Sequence, residues 1–427
     1  LPWLPLDVDL LAGVEMEAAM KKVNRSIVAI VGCVILVGAS CVLAQDWPQW
    51  RGPNRDGKVS GFTAPQTWPK ELTQKWRTTV GPGDATPALV GDKLYVFARQ
   101  GAEEVTLCLN AADGKELWRD KYEAQAVTGA PSRHPGPRSS PAVAEGKVVT
   151  IGVGGVLSCL DAATGKLVWR KDEFPKVVPE FFTAMSPIIV DGMCIAQLGA
   201  KDNGAIMAFD LATGNVKWKW AGEGAEYASP VLMTVQGTKQ IVTLTNKSIV
   251  GVAVADGKLL WQLPFAPQKM AYNAATPIVD GQTVIYTGAG RGAKAVKIEK
   301  QGDGFVTKDL WSNADLAPQF NTPVLKDGLL FAISNRGNFY CLNAQTGQTA
   351  WTDTNPLGGF GAIVDVGSVL LALPEKAGLI VLKPDGKQYS EITRYKVADT
   401  PTYAHPVIAG NRVFVRDQDS VTLWTIE

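Results

Sequence analysis

The feature that most constrains this chain is a hairpin that recurs. Residues 156–170 read VLSCLDAATGKLVWR: a short strand, a turn opened by Asp161, a glycine at 165 and a return strand carrying Trp169. The Asp161 carboxylate is placed to accept from backbone N–H groups two residues on. Gly165 can take the positive φ that an αL turn position needs. The first strand is apolar on both faces apart from Ser158, so both faces must be covered. A lone hairpin has no such cover, and the unit therefore needs copies of itself as neighbours. At the same spacing stand Asn110, Gly114 and Trp118, then Asp210, Gly214 and Trp218, then Asn343, Gly347 and Trp351. Ala253, Gly257 and Trp261 lose only the turn-opening side chain.

A second mark recurs: Ser or Thr (His at 405), then Pro, then apolar residues and a glycine turn. The prolines are Pro87, Pro141, Pro187, Pro230, Pro277, Pro323 and Pro406, with Ala362 holding the place once. The steps are 54, 46, 43, 47, 46, 39 and 44 residues. A period in the forties with about four strand-sized segments predicts a β-propeller blade. Eight units follow. Two are worn: the fifth has a longer turn before Trp311, and the seventh has Ser390 at the expected Trp place. The eighth, from Pro406, has three strands and no closing hairpin. Residues 72–80, with Trp76, offer the missing strand from the other end of the chain, and pairing them closes the ring. The predicted fold is all-β: an eight-bladed propeller of four-stranded antiparallel blades, the last closed by an N-terminal strand.

Residues 1–19 carry four acidic side chains and no starting Met, and read as a spurious upstream extension. Residues 20–44 read as a signal peptide: Lys21, Lys22 and Arg25, then an uncharged apolar run over 27–43, then Val42-Leu43-Ala44 before Gln45. The alternative is an uncleaved anchor, since the apolar run just reaches spanning length. Residues 45–70 are expected to form an N-terminal surface segment, and 71–427 the propeller. The expected location is periplasmic or extracellular, with no span after cleavage, or membrane-anchored without it.

The net charge is +1, from 42 basic and 41 acidic residues, and no basic run exceeds two. That pattern excludes nucleic acid as a main partner. Cys108, Cys159 and Cys341 hold one repeat position, two residues before the turn-opening residue, and Cys194 sits in another strand. They are expected to be small core residues. None has metal-ligand spacing, and only His134 and His405 are present as histidines.

The LDAxTGxxxW hairpin, the Ser-Pro lead-in and the count of eight resemble the pyrroloquinoline-quinone (PQQ) repeat family of propellers, over residues 72–427. The opening WPQWRGPNRDG, at 47–57, resembles the start of secreted bacterial PQQ-binding-like propeller proteins. The family includes cofactor-free members similar to BamB and quinone dehydrogenases. The resemblance implies, for the dehydrogenases, an adjacent Cys-Cys pair and a calcium site of Glu, Asn and Asp. No two cysteines adjoin here, and no stretch matches the calcium set. No catalytic, cofactor-binding or metal residue is therefore assigned, and no cofactor is expected.

The repeat residues Trp76, Trp118, Trp169, Trp218, Trp261, Trp311 and Trp351, with Gly114, Gly165, Gly214, Gly257 and Gly347, are assigned structural roles. The segments before the lead-in prolines should line the channel mouth. They bring Arg138, Phe181, Phe182, Tyr227, Tyr272, Asn273, Phe320, Asn321, Tyr403 and His405, with Asp84 and Phe360. Such a rim suits a peptide or a flat ligand. The expected function is a non-catalytic, monomeric scaffold that binds an envelope or secreted protein. The alternatives are a PQQ-dependent alcohol or sugar dehydrogenase and a carbohydrate-binding accessory protein.

Overall fold

The computed structural model describes residues 46–427 apart from positions 269 and 377. The extension, the signal peptide and its cleavage point lie outside the described residues. Those residues form eight four-stranded antiparallel sheets, and in seven the strands follow in chain order. Blade 1 runs from Ala88–Val90 to Glu116–Glu123, blade 2 from Ala142–Ala144 to Leu167–Lys171, and blade 3 from Ile188–Val190 to Val216–Trp220. Blade 4 runs from Val231–Val235 to Leu259–Pro264, and blade 5 from Ile278–Asp280 to Gly304–Asn313. Blade 6 runs from Val324–Lys326 to Thr349–Thr352, and blade 7 from Gly361–Asp365 to Glu391–Tyr395.

Blade 8 has Val407–Ala409, Arg412–Arg416 and Ser420–Thr425, and its outer strand is Thr73–Thr79. Trp76 pairs with Leu423, and Thr79 with Ser420. The two ends of the propeller are thus stitched by one strand pair, as the sequence predicts.

Burial follows strand position. In blade 1 the second and third strands, Lys93–Gln100 and Glu103–Asn110, are buried along their length on both faces. They read as continuous apolar runs because neighbouring blades cover both faces. The outer strand Glu116–Glu123 alternates half-buried and exposed residues. In blades 1 to 7 the pairing of third and fourth strands shifts register once, next to the turn in all but blade 5, where the hairpin runs on beyond the shift to Gln301. The shift sets Trp118 across from Cys108, Trp169 from Cys159, Trp218 from Ala208 and Trp351 from Cys341. Small residues at that place make room for the indole. Cys108, Cys159, Cys194 and Cys341 are all buried and unpaired. In blade 7 the same register brings Thr393, across from Val381, to the tryptophan place. The expectation of Ser390 there is corrected: the link from Gly386 to the outer strand at Glu391 is longer than that from Gly114 to Glu116, so a count from the glycine stops short of Thr393.

The lead-in residues form a belt around the axis. The Thr86 amide donates to Ser140 Oγ at 3.0 Å, Ser140 to Ser186 Oγ at 2.9 Å, and Ser186 to Ser229 Oγ at 2.9 Å. Thr276 donates to Thr322 Oγ1 at 3.0 Å, and His405 closes across the ring to Thr86 Oγ1 at 2.9 Å. The hydroxyls of Thr86, Ser140, Ser186, Ser229 and Thr322 thus accept from the preceding blade, whereas that of Thr276 accepts from Trp50.

Residues 46–59 are held against the ring. They turn across the channel and reach every blade. Trp47 exchanges backbone bonds with Leu89, Pro48 accepts from Val143, and Val59 donates to Asp365. Trp50 Nε1 donates to Thr276 Oγ1 at 3.0 Å. Arg51 and Arg55 are buried, both at φ 59. Arg51 donates to the carbonyls of Thr322 at 3.2 Å and Pro323 at 2.8 Å. Arg55 donates to the carbonyls of Pro230 at 2.6 Å, Ser186 at 3.3 Å and Pro187. A buried guanidinium needs its N–H groups satisfied, and the carbonyls of the lead-in residues just before the inner strands supply that.

Candidate functional site

One mouth of the channel opens as a cavity of about 410 Å³. It is built by the connections that enter each blade, which converge on the axis because the inner strands do. Of the sequence-predicted residues, Arg138, Phe181, Tyr227, Tyr272, Phe320 and Tyr403 line it, with Asp84 and Phe360. The aromatics stand in two arcs. Tyr272 meets Phe181 edge-on at 5.0 Å and Tyr227 at 5.8 Å. Phe320 stacks on Phe360 at 4.6 Å, and Phe360 meets Tyr403 edge-on at 5.3 Å.

Four predicted residues do not reach the cavity. Phe182 is buried behind its neighbour at φ 64. Asn273 donates to the carbonyls of Thr245 and Phe265 and accepts from Arg291. Asn321 donates to Ile333 and Gly359 and accepts from the Gly361 amide at 2.7 Å. His405 sits in the belt, edge-on to Trp50 at 4.6 Å and 3.4 Å from Arg51 Nη1. Burial and the Arg51 charge push its imidazole well below the usual histidine range. The two asparagines hold backbone, a role that residue type alone does not separate from ligand binding.

The unforeseen part is the floor. Trp50 closes the cavity from beneath. Its only sequence signal was a place in an aromatic-rich opening segment. The insert before blade 2 supplies Ala130, Pro131, Arg133 and His134 from a short 3-10 turn, Ala130–Arg133. His134 Nδ1 lies 2.9 Å from Asp84 Oδ2, and its ring meets Tyr403 edge-on at 4.8 Å. Arg138 donates through Nη2 to the His134 carbonyl at 2.7 Å, and its Nη1 has no acceptor. Burial lowers the Arg138 pKa against the pull of Asp84.

Behind the wall, Glu226 is almost fully buried with Oε2 unpartnered. Desolvation pushes its carboxyl up to about 7, against a bond from the Asn273 amide. Among the described residues no group of three or more His, Cys, Asp or Glu side chains is placed to hold a metal ion. Asp84, the one carboxylate on the cavity wall, is engaged by His134.

Eight four-stranded blades, five of them carrying the Gly-to-Trp hairpin and the last closed by an N-terminal strand, define a PQQ-repeat β-propeller. Residues 101–353, more than half of the chain, match the family model described as outer membrane protein assembly factor BamB. The chain belongs to that family. The BamB of Yersinia pestis is 24% identical over 54% of this chain, and the match spans 60% of that relative, under two thirds of its length. The BamB of Burkholderia pseudomallei is 23% identical over 82% of this chain and 86% of its own. The solved quinohemoprotein alcohol dehydrogenase of Comamonas testosteroni matches with a TM-score of 0.66 at 14% identity, covering 92% of this chain and 82% of that one. That likeness is one of fold. No helix among the described residues is long and apolar enough to cross a membrane.

Proposed function

We propose that the protein is an exported, non-catalytic propeller that binds another envelope or secreted protein at its channel mouth. The observation that carries the reading is the form of the mouth. It is rimmed by aromatic rings, closed beneath by Trp50, and its one carboxylate, Asp84, is engaged. Aromatic rims of this kind favour polypeptide, because rings bury large area at little entropic cost. Family relatives named as outer membrane assembly factors support an envelope partner. The protein acts as a monomer in this reading, since the strand that completes blade 8 comes from the same chain.

The test is a photo-crosslinking side chain at Phe320, which is 40% exposed at the rim. In the native envelope it should trap a protein that the same probe at the exposed Leu117 on the outer strand does not. Calorimetry with pyrroloquinoline quinone and calcium, followed by dye-linked oxidation of alcohols and aldoses, tests the other class. Tight quinone binding with substrate-dependent dye reduction would overturn the scaffold reading in favour of a dehydrogenase.

A further inference from the structure

The mouth cavity is blind, lined by rings, and left with surplus positive charge. We propose that it receives the C-terminal end of a polypeptide, with an apolar or aromatic last side chain against the rings and the free carboxylate on Arg138. The proposal rests on the reading of the mouth as a protein-binding site and adds the chemistry of what enters.

The floor excludes a threaded chain. The Trp50 indole is fixed by the Thr276 hydroxyl, and Arg51 anchors the next residue to two carbonyls of blade 6. An entering segment must end there or double back. At about 410 Å³ the cavity is near the small end of ligand pockets, which run from about 300 to 1,000 Å³. That favours a chain end over a doubled chain.

The charge selects the group at that end. Arg133 and Arg138 are the cations of the lining, and Asp84 is its one carboxylate, already held by His134 at 2.9 Å. Arg138 is fixed by the His134 carbonyl through one nitrogen, while Nη1 lacks an acceptor. A buried N–H without a partner costs free energy that an acceptor relieves. A carboxylate is the acceptor that a planar guanidinium holds best. Internal peptide segments carry no such group unless acidic, whereas every chain end does.

Fluorescence anisotropy of the full-length protein, with two labelled pentapeptides, tests this. Both read glycine-serine-glycine-serine-phenylalanine; one ends in a free acid, the other in an amide. The free acid should bind at least about tenfold more tightly than the amide, and added salt should erode the difference. Arg138→Gln should bring the free acid down to the amide. Phe320→Ala, at an exposed side chain, should weaken both peptides without lowering the melting temperature. Equal binding of the two peptides overturns the proposal, as does no binding of either at millimolar concentration. If Phe320 still crosslinks an envelope protein while neither peptide binds, the carboxylate claim fails and the scaffold reading stands. Should Arg138→Gln unfold, the acid-to-amide ratio on the unaltered protein decides alone.

Discussion

Gly114 lies against the Trp76 ring so closely that a methyl group on its α-carbon would sit 2.6 Å from Cε3. Gly114 belongs to the hairpin turn of blade 1, and Trp76 to the strand that closes blade 8. The same contact recurs around the ring: Gly214 meets Trp169, and Gly257 meets Trp218. Each indole also donates to the turn of the next blade. Trp76 reaches the Ala111 carbonyl at 3.2 Å, Trp169 reaches Leu211 at 2.9 Å, and Trp218 reaches Val254 at 2.8 Å. The repeat glycine is therefore needed twice, for φ +71 and for the face of the neighbour's ring.

Gly114→Ala is expected to destabilise the protein by about 2–4 kcal/mol, combining left-handed strain with overpacking. Gly91→Ala is the control, since its φ is +60 and nothing lies within 4 Å of the added methyl. Urea unfolding of both variants measures the difference, and equal losses would refute the ring contact.

The tryptophans should not behave alike. Trp169 and Trp218 are buried, each 7% exposed, whereas Trp118 and Trp351 are half-buried. Trp169→Ala and Trp218→Ala should each cost about 3–5 kcal/mol, with smaller losses at 118 and 351. Trp261 turns to Gln240 Oε1 in its own blade, because worn blade 5 offers no matching turn. A Gln240→Ala substitution should therefore weaken the packing of Trp261 alone, visible as a shift in tryptophan fluorescence.

Removing Thr73–Thr79 should open the ring. It strips blade 8 of its outer strand and leaves the edge Ser420–Thr425 unpaired. The expected result is aggregation, or a large fall in melting temperature in the fraction that stays soluble. Unchanged melting would mean that the strand is dispensable.

The plug arginines should be stabilising. Arg55→Ala leaves the carbonyls of Ser186, Pro187 and Pro230 without their donor. A loss of about 1–3 kcal/mol is expected for each buried acceptor left without a donor. Arg119→Ala, at an exposed outer-strand residue, should cost under about 1 kcal/mol.

Glu226 gives stability a slope in pH. Its folded carboxyl is raised from 4.5 to about 7, so the folded protein holds a proton there that the unfolded chain does not. Stability from this group is full below about 4.5 and falls as pH rises through about 7. The loss is on the order of 3 kcal/mol. His405 works in the opposite sense. Its folded pKa is depressed, so stability is lost as pH falls through its ordinary value of 6.5. The difference between the protein and Glu226→Gln isolates the carboxyl: the variant should gain relative stability from pH 5 to 8. A constant difference would show that Glu226 is ionised throughout.

Most of the ring was legible because its signals are local. The Asp161 turn closes on its own atoms: Oδ1 accepts the Ala163 and Thr164 amides at 3.2 and 3.0 Å, and Gly165 N donates to the Asp161 carbonyl at 2.8 Å. Repetition then let one hairpin be read five times, with the lead-in residues marking the other blades. Blade 7 was misaligned by three residues because its turn after Gly386 is longer, and without a tryptophan nothing in the sequence marks where the outer strand begins.

The sequence alone determined the blade, the number of blades and the partner of the last one, since hairpins, periods and an unpaired strand are properties of neighbouring residues. Only the tertiary structure decided what lies on the axis. Arg51 finds its acceptors at Thr322 and Pro323, more than 270 positions away, and both are backbone carbonyls. Every residue carries a carbonyl, so no side-chain pattern announces which one is left free. The same holds for the mouth: Asn273 and Asn321 turn inward to backbone, while Trp50 turns up to form the floor. Those orientations depend on which polar groups the closed ring leaves unsatisfied, and that is fixed only once all eight blades are in place.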